Sequence, residues 1–335
     1  MELNIISQSD FVKLGTVIFL KAKESVAESM RRSGLVKEVP ISEHTGNTRE
    51  FTEIDLNEYA SYKGESDQAS RAKVQQGYSK VMTAYRIASD IGISYEMRTQ
   101  NKYPEVVSRL TNLGSQGPKS MDLDLSHRIT FCTATSYTDR DSRTISATVG
   151  DGFELAYSAH TLAGSSTTFR NRLANNPLLS RGSLESMENL IVTETYNQFG
   201  EKMVMPFDIL FTTDDSVTVN MAKELLKSTS SPDGLNSGVV NVNQSKYRHV
   251  ILPRVATTAA GAPDSTKAKY WGIASSAYST LYLGVWEEAH LKTPAALNAG
   301  EEFSTDDWNF GLRAGYGIVT VSASWFKFSS GDSTA

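Results

Sequence analysis

The chain has 335 residues and a formal net charge of −5. Hydrophobic residues make up 39% of it and charged residues 21%, which is the range of globular proteins and excludes the low-hydrophobicity, high-charge composition of disordered chains. The length is sufficient for about two domains, each with its own core. The closest basic neighbours are the single pair Arg31 and Arg32, so the composition disfavours tight, specific nucleic-acid binding.

Cysteine usage and apolar runs exclude two further classes. Cys132 is the only cysteine, so an intrachain disulfide and a multi-cysteine zinc site are impossible, and a reducing compartment fits. The apolar run at residues 15 to 20 is far shorter than the ~20 residues of a membrane span, and no basic region precedes it. We therefore expect neither a membrane span nor a signal peptide.

The first predicted element is an N-terminal helix over residues 10 to 33. Ser9 or Asp10 can cap it, and Gly34 ends it. Its apolar residues recur at helical spacing, namely Phe11, Leu14, Ile18, Ala22 and Val26. This stripe has no obvious partner in its own chain.

A β-hairpin is predicted between residues 47 and 96. Its outgoing strand, residues 48 to 57, is polar, and residues 62 to 71 form a polar tip without an apolar anchor. The returning strand alternates cleanly, with one parity carrying Val81, Thr83, Tyr85, Ile87, Ile91 and Ile93. Because a two-stranded hairpin is marginal alone, we expect it to hold little structure in a free subunit and to lie over a neighbouring one.

The remainder of the chain predicts an α+β fold. Helical periodicity over residues 106 to 132 is interrupted at Gly114 and at Gly117-Pro118, which predicts one bent helix or two collinear ones. Residues 149 to 176 are rich in turn formers and should be irregular. A helix with Ser183 as its N-cap follows, then a helix at residues 219 to 227 and strands at residues 207 to 212, 249 to 255, 271 to 274, 281 to 286 and 310 to 328.

Residues that commonly carry chemistry form no convincing constellation. The five histidines lack the spacings of a zinc site, and three aspartates, Asp139, Asp141 and Asp151, lack the spacing of a calcium loop. His160 with Asp151 and a nearby serine could imitate a hydrolase triad, but no G-x-S-x-G elbow is present, and a loop histidine bonded to backbone carbonyls is favoured. We therefore predict no catalytic, cofactor-binding or metal-binding residues, and a protein that is not an enzyme.

The order of these parts resembles the Hong Kong 97 fold of tailed-bacteriophage major capsid proteins. Short motifs in the same order are similar to the branch of Mu-like head proteins. They are Asp151-Gly152, Ala159-His160, Asn171, Leu173-Ala174, Ser183-Leu184-Glu185, Pro206, residues 222 to 228 (AKELLKS) and residues 313 to 317 (RAGYG).

This resemblance implies a division of the chain into five parts. Residues 1–46 would be an N-terminal arm with a helix, and residues 47–96 an extended β-hairpin loop. A peripheral domain would contain a long spine helix at residues 97–140, and an axial domain would span residues 141–300. Residues 301–335 would return to the peripheral domain as strands and a tail.

The resemblance also implies a function, namely self-assembly into the icosahedral shell that encloses a phage genome. Partners would be further copies of the chain in pentamers and hexamers, a separate scaffolding protein, a portal and possible decoration proteins. Double-stranded DNA would be contacted only non-specifically, without a membrane or a cofactor, in a virion capsid assembled in the bacterial cytoplasm. Inter-subunit contacts are expected at Phe11, Leu14, Ile18, Gly64, Glu65, Asp67, Val81, Tyr85 and Ile87. Another phage structural protein, such as a tail sheath, fibre or decoration component, is the alternative, and a hydrolase using His160 is a weaker one.

Overall fold

The structure is a computed structural model that describes residues 8–40, 46–56, 59–100, 103–230, 240–293 and 307–333. It confirms the predicted α+β class. The helices are α1 (Gln8–Ser25), α2 (Tyr95–Thr99), α3 (Tyr103–Thr130), α4 (Arg181–Thr193) and α5 (Ser216–Lys227). The strands are β1 (Val36–Val39), β2 (Thr48–Leu56), β3 (Val74–Thr83), β4 (Tyr85–Ile93), β5 (Ser136–Thr138), β6 (Thr144–Ser146), β7 (His160–Thr161), β8 (Thr168–Phe169), β9 (Ile209–Thr212), β10 (Arg248–Ile251), β11 (Trp271–Ala274), β12 (Leu281–Lys292), β13 (Trp308–Thr320) and β14 (Phe326–Ser329).

The first sheet has four strands in the order β1-β12-β13-β4. β1 runs parallel to β12, and the other pairs are antiparallel. Helices α1 and α3 pack against each other, and α3 packs on β13. The apolar side chains between them form one core, which includes Phe19, Leu110, Leu113, Phe310 and Leu312.

The second sheet has the order β10-β9-β11-β14 and lies with α4 and α5. Its strands β9, β11 and β14 are buried at every residue, and the sequences of β9 and β11 accordingly read as apolar runs. β14 (FKFS) alternates and buries Lys327, whose ammonium donates to the carbonyls of Arg170 and Glu194. A shared core that contains Trp325 and Phe326 joins this sheet to the first one.

Two strands lie in a different sheet from the one that the predicted segments imply. β14 was predicted to return to the sheet of β13, but it pairs with β11 in the second sheet. β12 falls within residues 141–300, yet it pairs with β1 and β13 in the first sheet. Residues 321 to 325 separate β13 from β14, so the single predicted strand at 310 to 328 is two strands with different partners. The segment boundaries stay a prediction.

The hairpin differs from its prediction in the returning strand. The segment that alternates in sequence is two strands, because the amide of Ala84 donates to the carbonyl of Asn47 (2.8 Å) and closes the hairpin at that point. Only β3 pairs with β2, while β4 pairs with β13 in the first sheet. The alternation of apolar side chains continues through Ala84, so the sequence gives no sign that the pairing strand changes from β2 to β13 at that point.

Helix α3 is one continuous helix of 28 residues that passes through Pro118. Its glycines mark close approaches of neighbouring elements. A Cβ at Gly114 would lie 2.7 Å from the carbonyl oxygen of Phe19, and one at Gly117 would lie 2.9 Å from the Cβ of Ala289. The glycines predicted as interruptions are therefore the positions where α1 and β12 reach the helix.

Helix α4 begins earlier than predicted. Ser180 is its N-cap, and Ser183 is the third helical residue of a capping box. The Ser180 hydroxyl accepts from the Ser183 amide (3.2 Å), and the Ser183 hydroxyl accepts from the Ser180 amide (2.8 Å). Both serines suit a cap, so composition alone could not choose between them.

The contact at Gly114 yields a stability prediction. Gly114→Ala should destabilise the fold by about 1 to 3 kcal/mol, because the added methyl group meets the backbone of α1 and cannot be accommodated by a rotamer change. Gly182→Ala in α4 is the matched control, since its Cβ would meet open space, and it should be stabilising by about 0.5 to 1 kcal/mol. Urea denaturation measures both, and a Gly114→Ala variant as stable as the control would contradict this packing.

Candidate inter-subunit surface

Most of the apolar stripe predicted on α1 is already covered by its own chain. Phe11, Ala22 and Val26 are buried, and the Phe11 ring meets Trp308 edge to face, with 5.0 Å between ring centroids. The expectation that this stripe has no partner in its chain is therefore wrong. The buried face also includes Phe19, which the predicted stripe left out.

The outer face of α1 carries a second apolar row. Leu14, Val17 and Leu20 follow one another at three-residue spacing and are between 43% and 48% exposed. Of the predicted contact residues, Leu14 lies on this outer face, while Ile18 is half-buried against the core. Val17 and Leu20 were not among the predicted contact residues, although the sequence shows apolar residues on both faces of this helix. Contact of this row with another subunit stays a prediction.

The inner face of the hairpin packs on its own chain, mostly through polar contacts. The backbone amide of Gln198 donates to the Asp55 carboxylate (2.9 Å), and its side-chain amide donates to the Glu53 carboxylate (2.8 Å). The Phe51 ring stacks on Tyr282 with 4.4 Å between centroids. The expectation that the hairpin lacks a partner in a free subunit is therefore wrong for β2 and β3.

Two further contacts seat β3 on the segment between β6 and β8. Tyr78 and Thr161 share a hydrogen bond of 2.8 Å between their hydroxyls, and the ammonium of Lys80 donates to the hydroxyl of Thr148 (3.0 Å). Gly150 permits this approach, because a Cβ there would lie 2.6 Å from the Cβ of Tyr78.

The outer face of the hairpin is exposed and includes large apolar residues. Four of them are between 55% and 66% exposed: Ile54, Leu56, Val74 and Val81. Leu56 lies directly opposite Val74 in the antiparallel register, so the two form one patch across both strands. The inner face combines the buried Met82 and the stacked Phe51 with Glu53 and Asp55, so both faces of the ribbon carry apolar side chains, and those of the outer face are exposed in the single chain. Contact of the outer face with another subunit stays a prediction.

Val81 was predicted as a contact residue, whereas Ile54, Leu56 and Val74 were not. Ile54 and Leu56 were noted only as apolar groups in a weak strand. Their shared parity was the signal that could have placed them on one face of β2, and pairing with Val74 adds the third member.

The hairpin tip is exposed and built around a small turn. The Gly64 amide donates to the Asp67 carboxylate (3.2 Å), and the Asp67 amide donates to the Gly64 carbonyl (3.3 Å). Glu65 lies exposed within this turn. Tyr62 is also fully exposed, so the tip that was predicted to have no apolar anchor presents an aromatic ring.

Val81, Tyr85 and Ile87 line a cleft of about 290 Å³ between the hairpin root, α3, β13 and the β5–β6 hairpin. Tyr85 is half exposed beneath the guanidinium of Arg143, which lies 5.0 Å from the ring centroid, and Ile87 packs partly against the core. Burial, together with the charge of Arg128, lowers the pKa of Lys80 from 10.5 to about 8. The structure thus brings these three predicted residues together at one opening.

His160 takes a structural position. It is buried, its Nδ1 lies 2.7 Å from the Asp151 carboxylate, and its Nε2 lies 3.3 Å from the carbonyl oxygen of Leu155. Both ring nitrogens are therefore engaged by groups other than a serine. This geometry matches the interpretation of a loop histidine bonded to a backbone carbonyl, with an additional carboxylate, and lends the hydrolase alternative no support.

Within the described ranges, no group of three or more His, Cys, Asp or Glu residues could hold a metal ion. The helices of that same part of the chain are all too short or too polar to cross a membrane.

Solved structures with a similar chain trace include a virus-like particle from Pyrococcus furiosus, at 12% identity and a TM-score of 0.49, covering 96% of this chain and 99% of that one. The asymmetric unit of the bacteriophage PhiM1 mature capsid gives 11% identity and a TM-score of 0.48 over 90% of this chain and 87% of the other. Mycobacterium phage Cain gives 14% identity and a TM-score of 0.47 over 97% and 96%. No family model and no curated protein matches the sequence.

The two faces of α1 predict opposite outcomes for neighbouring residues. Phe19→Ala should destabilise the single chain by about 3 to 5 kcal/mol, because it empties a buried site between α1 and α3. Leu20→Ala, on the exposed face, should change the free energy of unfolding by less than about 0.5 kcal/mol. Urea denaturation of the unassembled chain measures both, and equal effects would show that α1 does not pack as described.

Proposed function

We propose that this chain is the major capsid protein of a tailed bacteriophage, with the Hong Kong 97 fold and closest to the Mu-like head proteins. In this proposal many copies build an icosahedral shell around the genome. The observation that carries the proposal is the difference between the two faces of the hairpin. Carboxyl groups of the inner face bond to Gln198 of the same chain, whereas apolar side chains of the outer face are exposed.

The open face needs a second chain for a simple energetic reason. Exposed apolar surface on a projecting ribbon costs free energy that burial recovers at ~25 cal/mol per Å². Covering about 200 Å² around Leu56 and Val74 would contribute on the order of 5 kcal/mol per hairpin. The inner face already fixes the strands, so less conformational entropy is lost when a neighbour binds than for a disordered loop.

The arrangement of elements supports the same proposal. The first sheet with α1 and α3 would be the peripheral domain, with α3 as its spine helix, and the second sheet with α4 and α5 would be the axial domain. The exposed row on α1 and the exposed hairpin then provide two separated surfaces per copy. A closed shell requires each subunit to contact several neighbours through different patches, which two such surfaces permit.

The partners follow from this role. We expect pentamers and hexamers of the chain, a separate scaffolding protein, a portal and possible decoration proteins, with assembly in the bacterial cytoplasm. Contact with packaged double-stranded DNA would be non-specific, since a chain of net charge −5 offers phosphate little overall attraction. No catalysis is required for any of these steps.

Charge placed on the open face tests the proposal. Leu56→Asp with Val74→Asp should leave a folded subunit, because both side chains point into solvent, and should reduce the yield of closed particles at least about tenfold, because burying unpaired carboxylates costs several kcal/mol. Light scattering and electron microscopy measure the yield.

Val217→Asp is the matched control, since Val217 is also highly exposed but lies on α5, which packs with β9 and β10, and it should assemble as the parent does. Normal particles from the double variant would overturn the role of the open face. Parent protein that stays monomeric under all conditions, with or without its scaffold, would overturn the shell function, and open filaments would favour a tail component.

A further inference from the structure

Gln198 connects two carboxyl groups of β2 to the remainder of the chain. Glu53 and Asp55 alternate in β2 and therefore face the same side, and both accept hydrogen bonds from Gln198. Gln198 is itself fixed, because its side-chain oxygen accepts from the Ala163 amide (2.8 Å) and its backbone carbonyl accepts from the Gly164 amide (3.1 Å). Two carboxyl groups of the hairpin are therefore bonded to one residue of the underlying segment.

Glu53 lies in a confined space with charges of its own sign. Its surroundings include Tyr78 of β3, Asp151 of the loop after β6, His160 of β7 and Ser322 of the loop after β13, around a cavity of about 10 Å³. Such a cavity has room for no more than about one water. The hydrogen-bonding groups that face Glu53 are the neutral Gln198 amide and the Ser322 hydroxyl.

The charged groups near Glu53 come from three elements. Asp55 is its neighbour on β2, and Asp151 approaches from the segment beneath. The imidazole of His160 is held against Asp151, and Lys80 of β3 feels the charge of Asp151. A negative charge on Glu53 would therefore lie beside Asp55 in a confined space with room for about one water, while Lys80 and His160 face Asp151.

We infer that Glu53 is a proton-operated latch, which holds the hairpin on its own chain when protonated and weakens that hold when ionised. This goes beyond the proposed shell function and is a property of the single chain. Its consequence is that ionisation of Glu53 loosens the hairpin, together with its open apolar face, against the contacts of Phe51 with Tyr282 and of Tyr78 with Thr161, which remain.

The direction of the pH effect follows from burial. Desolvation and the charges of Asp55 and Asp151 together raise the pKa of the Glu53 carboxyl from 4.5 to about 7, against the hydrogen bonds from Ser322 and Gln198, which lower it. A docked hairpin therefore binds this proton more tightly than a free one. Docking is fully stabilised below pH 4.5, and this stabilisation is lost as the pH rises through about 7.

His160 is the other titratable group beneath the hairpin, and its Nδ1 lies 2.7 Å from the Asp151 carboxylate. His160 and Asp151 lie on the same segment, whereas Glu53 lies on the hairpin. Substitution of Glu53 therefore separates the contribution of Glu53 from any contribution of His160.

Hydrogen exchange of the full-length, unassembled chain tests the latch. The readout is the protection of residues 48–56 and 74–83 relative to α3, after correction for intrinsic exchange. Between pH 5 and pH 8, the protection of the parent hairpin should fall by between about tenfold and a hundredfold. In Glu53→Gln the fall should be absent, since the carboxamide stays neutral and can still accept from Gln198. Glu50→Gln, on the exposed face of the same strand, is the control and should behave as the parent does.

Asp55→Asn is the second variant, which keeps the test decisive if the first one folds poorly. Removing the Asp55 charge should lower the Glu53 pKa and move the loss of protection to a lower pH. Three results overturn the latch: a parent hairpin whose protection does not change with pH, a Glu53→Gln variant that keeps the parental dependence and so assigns it to His160, or an Asp55→Asn variant with an unshifted midpoint. None of these results depends on whether the chain assembles.

Discussion

A two-stranded ribbon buries too little surface to be stable alone, and this constraint governs the most distinctive part of the molecule. The two faces of the hairpin differ in how they are covered. Its inner face is tied to the chain by Gln198 and by the stacked pair Phe51 and Tyr282, while Leu56 and Val74 face outward. The inner contacts combine hydrogen bonds, whose net contribution is about 1 kcal/mol each, with the stacked Phe51 ring and the buried Met82, while the apolar side chains of the outer face are exposed in the single chain.

The remainder of the fold serves as a rigid base for that ribbon. Helix α1 is tied to α3 through the close approach at Gly114, and α3 is tied to the first sheet through Gly117. Because β4 follows β3 directly and is a member of that sheet, the hairpin emerges from a packed layer and not from a flexible loop. Its docking can then change, as the Glu53 latch requires, without unpacking the base.

The sequence predicted the helices and strands better than it predicted which of them pack together. Strand β11 and the buried stripes of α3 follow from apolar pattern alone, since each is a continuous run or a clear helical spacing. The partner of the α1 stripe did not follow, because Trp308 and Phe310 lie almost three hundred residues away and no local signal connects them to Phe11. The split at Ala84 was hidden for a similar reason, since side-chain parity continues through a point where the hydrogen-bonded neighbour changes.

The central claim is that the outer face of the hairpin contacts a second copy of the chain, and cross-linking between isotope-labelled copies tests it most directly. Cys132 is buried, and burial raises the pKa of its thiol, so a single Leu56→Cys substitution can be labelled selectively with a photo-reactive group. Chains that carry the photo-reactive group, half of them enriched in a heavy isotope, are mixed before assembly. The assembled particles are then irradiated, and their cross-linked peptides are identified by mass spectrometry. The account predicts cross-linked peptides that combine both isotopes in proportion to the mixture. Cross-links confined to one isotope, joining residue 56 only to its own chain, would contradict it.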